Sequence, residues 1–479
     1  REGRDMELFY RPGEAVLGDV IPFYDAGEFK PFYLKNTRGH AGPDCEEGWH
    51  RLSTKDHLHF TEFPAHIRGG TGSVLKVGEL YHMFYCTFED NPRRQFIRHA
   101  TSRDLERWET ADGVLPADGK IYDPAEWRDP FVFWNEGEQK WWMLIATAVL
   151  GKTERRACVG LCVSDDLRRW AYREPFYAPM AAAGACECPD LFRMGEWYYL
   201  VFSNYCDRFQ TLYRMSRSLR GPWLAPERDT LDSRAYYAAK TGTDGSRRYI
   251  YGWNPTKELP KKTFNPGNRI SRDCCSWDWG GNLVVHELLQ NPDGTLRVVP
   301  EAHVDAALQT RRPVDVTPVL GGCEASPHAV RLRADCGFGG VLLDRIPALC
   351  KLEGEVRFKP GTRRFGIALQ VDEQYDTGYY LYLEPGRNRL EYVSGIRFWG
   401  PDGEGGKMFP YAVELERPFT LEADRFYPFK IFVQDSVLVV YFGGEIAMNA
   451  RMYDYSGRRF GLFAIDGEAE FRNLSLCTE

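Results

Sequence analysis

Five stretches of the chain repeat one pattern of apolar and polar positions. Each has a short apolar strand, a turn with glycine, and a second strand rich in aromatic residues. They read GDVIPFYDAGEFKPFYL, GTGSVLKVGELYHMFYC, RDPFVFWNEGEQKWWMLI, ECPDLFRMGEWYYLVF and YYAAKTGTDGSRRYIYGW. Glycine before a polar residue, set between two apolar runs, signals a β-hairpin. The turn glycines are Gly27, Gly78, Gly137, Gly195 and Gly245, spaced by 51, 59, 58 and 50 residues. Between the hairpins a serine recurs a few residues ahead of an aromatic, from Ser53, Ser102, Ser164 and Ser216. It predicts a further strand or turn that closes each unit. Units of this length made only of short strands predict the four-stranded blades of a β-propeller. Five of them predict a five-bladed propeller domain over residues 1–300, with the repeats starting near residue 10. An irregular β-sandwich with chance repeats is the plainer alternative.

The pattern changes after residue 300. A stretch rich in Ala, Pro and Val reads as a linker over residues 301–320. Beyond it, LEGEVRF, RRFGIALQV, GYYLYLE, YPFKIFVQDSVLVVYF and RRFGLFAI alternate apolar and polar positions. This period predicts antiparallel strands, and residues 321–479 predict a β-sandwich domain. Its expected role is packing; the loop RFWGPDGEGG is the place where it could reach a ligand. The fold class is therefore all-β.

Composition agrees and narrows the function. The 479 residues are too many for one ordinary core. Aromatics make up 14% of the chain, with 46 Gly and 29 Pro, which suits short strands and tight turns. A formal charge of −7 without a long Lys/Arg run argues against a nucleic-acid partner. No apolar run has the length of a membrane span, and REGRDMELFY has no apolar signal core. Met6 fits a native start. The 13 cysteines are odd in number and scattered, as expected of free thiols in a reducing, cytoplasmic compartment. None has a second pair at zinc spacing, so neither a metal nor a cofactor is expected. The oligomeric state is not legible.

One hairpin poses a question. Its first strand begins Trp127-Arg128-Asp129-Pro130, and two adjacent charges do not belong in a core unless paired. Counting back eight residues from each turn glycine gives Asp19, Gly70, Asp129, Glu187 and Tyr237. Three carboxylates then hold one repeated position, at the start of the first strand of a hairpin. In a propeller these strand ends meet at one mouth of the channel. Clustered carboxylates repel and raise at least one pKa, which folding does not need and chemistry can use. Any one of them alone reads more simply as a turn cap. Paired carboxylates suit glycoside hydrolysis on a small carbohydrate. A hard cation is the rival use, but it needs six to eight oxygens and Arg128 argues against it. A guanidinium beside Asp129 would instead hold that carboxylate ionised and offer donors to sugar hydroxyls. Trp49, Trp127 and Tyr237 could supply flat apolar faces for a sugar, although each alone reads as packing.

The motifs also carry a resemblance. WRDPFVFW and ECPDLF resemble the Arg-Asp-Pro and Glu-Cys motifs of glycoside hydrolase family 32, the invertase and fructanase family, in the same order. GWHRLSTKDHLHF, GTGSVL (with Ser73), YYAAKT followed by RRYIYGW, and WDWGGNLVVHELL are similar to further family segments. The resemblance spans about residues 10–300 and continues weakly beyond. It implies a propeller with a C-terminal sandwich and a retaining β-fructofuranosidase. Asp19 would be the nucleophile that forms a covalent fructosyl-enzyme. Glu187 would be the general acid and then the base. Asp129 would hold the furanose hydroxyls beside Arg128. A retaining enzyme places its two reacting carboxyls about 5–5.5 Å apart. The chain departs from the family at its first motif, normally Asn-Asp-Pro-Asn-Gly and here GDVIPFY. Leu34 also stands where the family carries Gln. Both changes fall in the pocket for the terminal sugar. Inverting arabinofuranosidase- or xylosidase-type propellers are the alternative enzymes, and a non-catalytic carbohydrate-binding protein is the alternative class.

Overall fold

The computed structural model describes the chain except residues 1–5, 40–47, 65–66, 152–155, 206–208, 259–271, 274, 327 and 395–413. The loop RFWGPDGEGG and Cys274 lie outside the described residues. The fold is all-β. The chain divides into two compact units, one of Arg1–Asn254 with Trp279–Leu296 and one of Pro255–Asp278 with Arg297–Glu479. The segment 255–278, read from sequence as part of the first domain, therefore groups with the second unit.

All five expected hairpins are present in the first unit. Their strand pairs are Val16–Ile21 with Phe32–Asn36, Gly72–Val77 with Leu80–Asp90, and Tyr122–Asn135 with Lys140–Val149, then Ala185–Met194 with Trp197–Tyr205, and Tyr237–Thr243 with Arg248–Pro255. The second, third and fourth hairpins belong to separate sheets of five, four and three strands. The first and fifth lie in one eight-stranded sheet, because the strand Gly281–Gln290 pairs with Val16–Ile21 at Leu17↔Gly281.

The recurring serine element has a local cause. Ser102 and Ser164 end their strands, and each Oγ accepts the backbone N–H two residues on, from Asp104 at 3.2 Å and Asp166 at 3.1 Å. Each aspartate then accepts two further backbone N–H groups. These side-chain turns stop the strand and reverse the chain. Thr54, not Ser53, plays this part in the first repeat.

Four of the five hairpins carry the same defect. The register slips by one residue after Gly18, Arg128, Glu187 and Tyr237, each in the first strand of its pair. The next residues, Asp19, Asp129, Cys188 and Ala238, have positive φ of 27°, 56°, 49° and 52°. This is a β-bulge, which re-aims side chains and is often found beside functional sites. Pro130 and Pro189 follow two of these residues, where a missing N–H is tolerated. The bulges correct the count made from the turn glycines. Asp19 and Asp129 are equivalent, but Glu187 is equivalent to Arg128, one position earlier. The fourth turn is shorter: Met194 pairs with Trp197, whereas Asn135 pairs with Lys140.

The second unit holds a sheet of eight strands and one of seven. They meet through stacked Phe358 and Phe365, with ring centroids 4.9 Å apart, and through buried Arg417, which donates to the Ala447 carbonyl at 3.0 Å. The expected linker 301–320 is structured. It carries the helix Ala302–Ala306, capped by the Glu301 carboxylate. It also supplies the strands Thr310–Arg312 and Thr317–Leu320, paired into the eight- and seven-stranded sheets. Its strands went unread because their side chains are all exposed, so no alternation of apolar and polar positions marks them.

Candidate active site

The bulges bring Asp19, Asp129 and Glu187 close enough to act on one another. Glu187 is the most heavily engaged. Arg128 Nη2 donates to its Oε1 at 3.0 Å, and the Tyr237 hydroxyl donates to its Oε2 at 2.6 Å. Asp129, 4% exposed, accepts the Cys188 backbone N–H at 2.9 Å, with the Cys188 thiol 3.7 Å from the same oxygen. Among the described residues, Asp19 accepts one bond, from Trp253 Nε1 at 3.3 Å.

Burial, then repulsion from Asp129 and Glu187, pushes Asp19 up to about 7, against the smaller opposing effects of Trp253 and Lys240. Burial also raises Glu187, with Asp129 adding to it, while Arg128 and Tyr237 pull the other way. Burial alone would lower the Arg128 pKa, but Asp129, Glu187 and Glu126 more than offset it and raise it above its ordinary value. The site therefore holds several acidic groups and binds protons near neutrality, as general acid–base chemistry requires.

The Asp129 charge acts on Arg128, as the sequence suggests, but among the described residues no hydrogen bond joins the two. Its guanidinium bonds to Glu187 and Glu126, with Gln95 Oε1 at 3.5 Å. Tyr237 sits at the site, stacked on Phe209 with centroids 3.8 Å apart. Trp49 does not. It is fully buried in a cluster with Phe32 and Tyr85, so it offers no face to a sugar. Trp127 is likewise core, its indole donating to the Leu115 carbonyl. Ser73 is buried, and its Oγ accepts the Val132 N–H at 3.1 Å. That bond ties the second hairpin to the third and does not engage the carboxylates.

Sequence reasoning missed four neighbours. Trp253 pairs across the ladder from Tyr237. Lys240, 2% exposed, donates to the Gly72 carbonyl at 2.7 Å and its charge acts on Asp19. Glu126 braces Arg128. Trp279 covers Gly18: a Cβ there would lie 2.2 Å from the indole. The last contact gives the changed first motif a physical reason, since an asparagine at position 18 has no room beneath that ring. Each of the first two lies within a quoted repeat, but only the folded register shows which way it faces.

A cavity of about 1400 Å³ opens beside this cluster, with Arg128 and Glu187 in its wall. Among the described residues, no helix is long and apolar enough to cross a membrane, and each cysteine described is free.

Comparison with known proteins fits this geometry. The model of the glycosyl hydrolases family 32 N-terminal domain matches residues 20–274. A levanbiose-producing levanase of Bacillus subtilis is 26% identical over 318 residues, 58% of this chain and 57% of the levanase, so the match spans little more than half of that relative. Sucrose-6-phosphate hydrolase of Escherichia coli is 24% identical over 89% of this chain and 85% of its own. Among solved structures, sucrose-6-phosphate hydrolase from Lactobacillus gasseri superposes with a TM-score of 0.70 at 14% identity, over 98% of this chain and 92% of its own. Exo-inulinase from Aspergillus awamori gives 0.68 at 16%, over 98% and 96%. The family match covers more than half of the chain and includes Asp129 and Glu187, and the chain belongs to glycosyl hydrolase family 32, making it a glycoside hydrolase.

Proposed function

We propose that the protein is a retaining β-fructofuranosidase, acting on sucrose-like sugars or short fructo-oligosaccharides through a covalent fructosyl-Asp19 intermediate. Glu187 protonates the departing oxygen and then activates water. Asp129 holds the furanose hydroxyls and stabilises positive charge in the transition state. The observation that carries this reading is the cluster itself: three carboxylates repel one another in one partly buried site, with Glu187 held between Arg128 and Tyr237.

The proton count sets the working state. Attack needs Asp19 ionised, and departure needs Glu187 protonated. Asp19, with one weak hydrogen bond, competes for that proton. A bound sugar that hydrogen-bonds Asp129, or places developing positive charge beside Asp19, favours the ionised nucleophile. Arg128 and Tyr237 then hold the Glu187 carboxylate after the proton leaves, readying it to take one from water.

The five hairpins form, in this reading, the blades of a five-bladed propeller over about residues 1–300, with Asp19, Asp129 and Glu187 at one mouth of its channel. The second unit is a packing sandwich. The names of the relatives support fructosides as substrates: a levanase, a sucrose-6-phosphate hydrolase and a raffinose invertase share 24–26% identity with this chain.

A product assay tests the reading. Wild type, Asp19→Asn and Glu187→Gln are each given sucrose, short inulin-type and levan-type oligosaccharides, and aryl arabinofuranoside and xyloside. Free fructose from wild type, reduced about 10³-fold or more in both variants, is the expected outcome. Pentose release would favour an inverting relative, and no release from any substrate would favour a binding protein.

A further inference from the structure

The cavity beside Glu187 is built unevenly. Arg128 and Glu187 line it, but Asp19 and Asp129 do not. The side open to solvent is thus the side from which the acid acts, where the leaving group sits if the proposed roles hold. Its volume, about 1400 Å³, exceeds the ~300–1,000 Å³ usual for a small-molecule pocket. One sugar ring would leave most of it empty.

Two large aromatic rings stand in its wall and are more than half exposed: Phe88 at 54% and Tyr205 at 58%. Exposed aromatics at a cleft give flat apolar faces that fit the C–H face of a sugar ring. Tyr205 leads inward, packing on Phe209, which stacks on Tyr237, the hydrogen-bond donor to Glu187. A run of small residues, Ala181 to Ala185, also lines the cavity. Charge adds a second constraint. Among the described lining residues the acids are Asp123, Glu126 and Glu187, and the cations are Arg93 and Arg128. Both arginines are bound by Glu126, and Arg128 also by Glu187. A phosphate group needs uncommitted cationic donors, and among the described residues this wall has more acid than base.

Resting on the fructosidase reading, we infer that the cleft binds an uncharged leaving group longer than one sugar, with Phe88 and Tyr205 setting the preference for length. The protein then discriminates by leaving-group length and against a phosphorylated leaving group.

The experiment compares kcat/KM for a disaccharide, a trisaccharide and a tetrasaccharide that share one terminal β-fructofuranoside, and for the disaccharide phosphorylated on its leaving sugar. The expected result is a rise of about tenfold from disaccharide to tetrasaccharide, the scale of one good aromatic contact, and no gain from phosphate. Phe88→Ala and Tyr205→Ala should each pull the tetrasaccharide-to-disaccharide ratio towards one, and Phe88→Tyr should restore it. Both side chains are largely exposed, so truncation leaves the core packed. A flat length series, a preference for the phosphorylated sugar, or a ratio unmoved by both variants overturns the inference. If no substrate releases fructose, the hydrolytic reading fails separately. Calorimetric titration of the same oligosaccharides into wild type and Phe88→Ala then decides: length-dependent binding lost in the variant upholds the cleft, and binding without length dependence, or none, overturns it.

Discussion

The Tyr237 hydroxyl donates a 2.6 Å hydrogen bond to Oε2 of Glu187, on the side of the carboxylate opposite Arg128. The bond favours the ionised form and so opposes the burial that raises the Glu187 pKa. Tyr237→Phe removes the donor and keeps the ring on Phe209. The expected result is a basic limb of the kcat/KM profile shifted to higher pH, with kcat lowered about tenfold, the scale of a hydrogen bond to a charged group. A merely structural tyrosine would leave the limb in place.

In the proposed mechanism the acidic limb belongs to Asp19. Its carboxyl, pushed up to about 7 by burial and by Asp129 and Glu187, must lose its proton before it can attack. Activity should therefore rise with pH towards neutrality. Asp129→Asn removes one repelling charge and moves this limb to lower pH in whatever activity remains. Trp253→Phe removes the indole N–H that donates to the Asp19 carboxylate and moves it higher. Opposite shifts in the two pH profiles are the check.

The same shift has a cost in stability. The folded pKa of Asp19, about 7, lies above the ordinary 3.8, so folding favours the protonated form. The neutral acid is tolerated below pH 4; stability is lost as pH rises from about 4 to 7, and above 7 the full cost of a buried, repelled charge is felt. Asp19→Asn removes that cost. Urea unfolding should show the variant more stable than wild type by roughly 2–4 kcal/mol at pH 8, and nearly equal to it at pH 4.

Gly18 lies under Trp279, and even a methyl group there meets the indole. Gly18→Ala must displace the ring that covers the residue preceding Asp19. Overpacking of this kind costs about 1–3 kcal/mol. Gly18→Asn, which restores the residue usual in the family, should do more harm than Gly18→Ala. Thermal unfolding and KM for the best substrate measure both effects.

Much of this is legible in the chain. Glycine spacing locates all five hairpins, because a turn glycine and the aromatic strand after it are local signals. Counting from those glycines finds the three carboxylates, although the count assumes turns of equal length. The fourth turn is shorter, so Glu187 aligns with Arg128 and not with Asp129. The prolines after Asp129 and Cys188 carry the true alignment, since a strand interior accepts proline at a bulge. Trp49 misleads because an aromatic suited to a sugar face is equally suited to a core, and composition cannot separate the two. Lys240 and Trp253 act across the ladder, and which face each presents depends on a one-residue slip. The strands within 301–320 are edge strands with exposed side chains, so no apolar alternation marks them.

The central claim is that Asp19 attacks the sugar and Glu187 serves as acid and then base. Stereochemistry tests it most directly. Hydrolysis of the best fructoside is run in water containing methanol, and the configuration of the methyl fructofuranoside formed is read by NMR. Two inversions through a fructosyl-Asp19 intermediate predict methyl β-fructofuranoside, formed by wild type and absent in Asp19→Asn. Methyl α-fructofuranoside would mean a single displacement, and would contradict the account by making Asp19 a base and not a nucleophile.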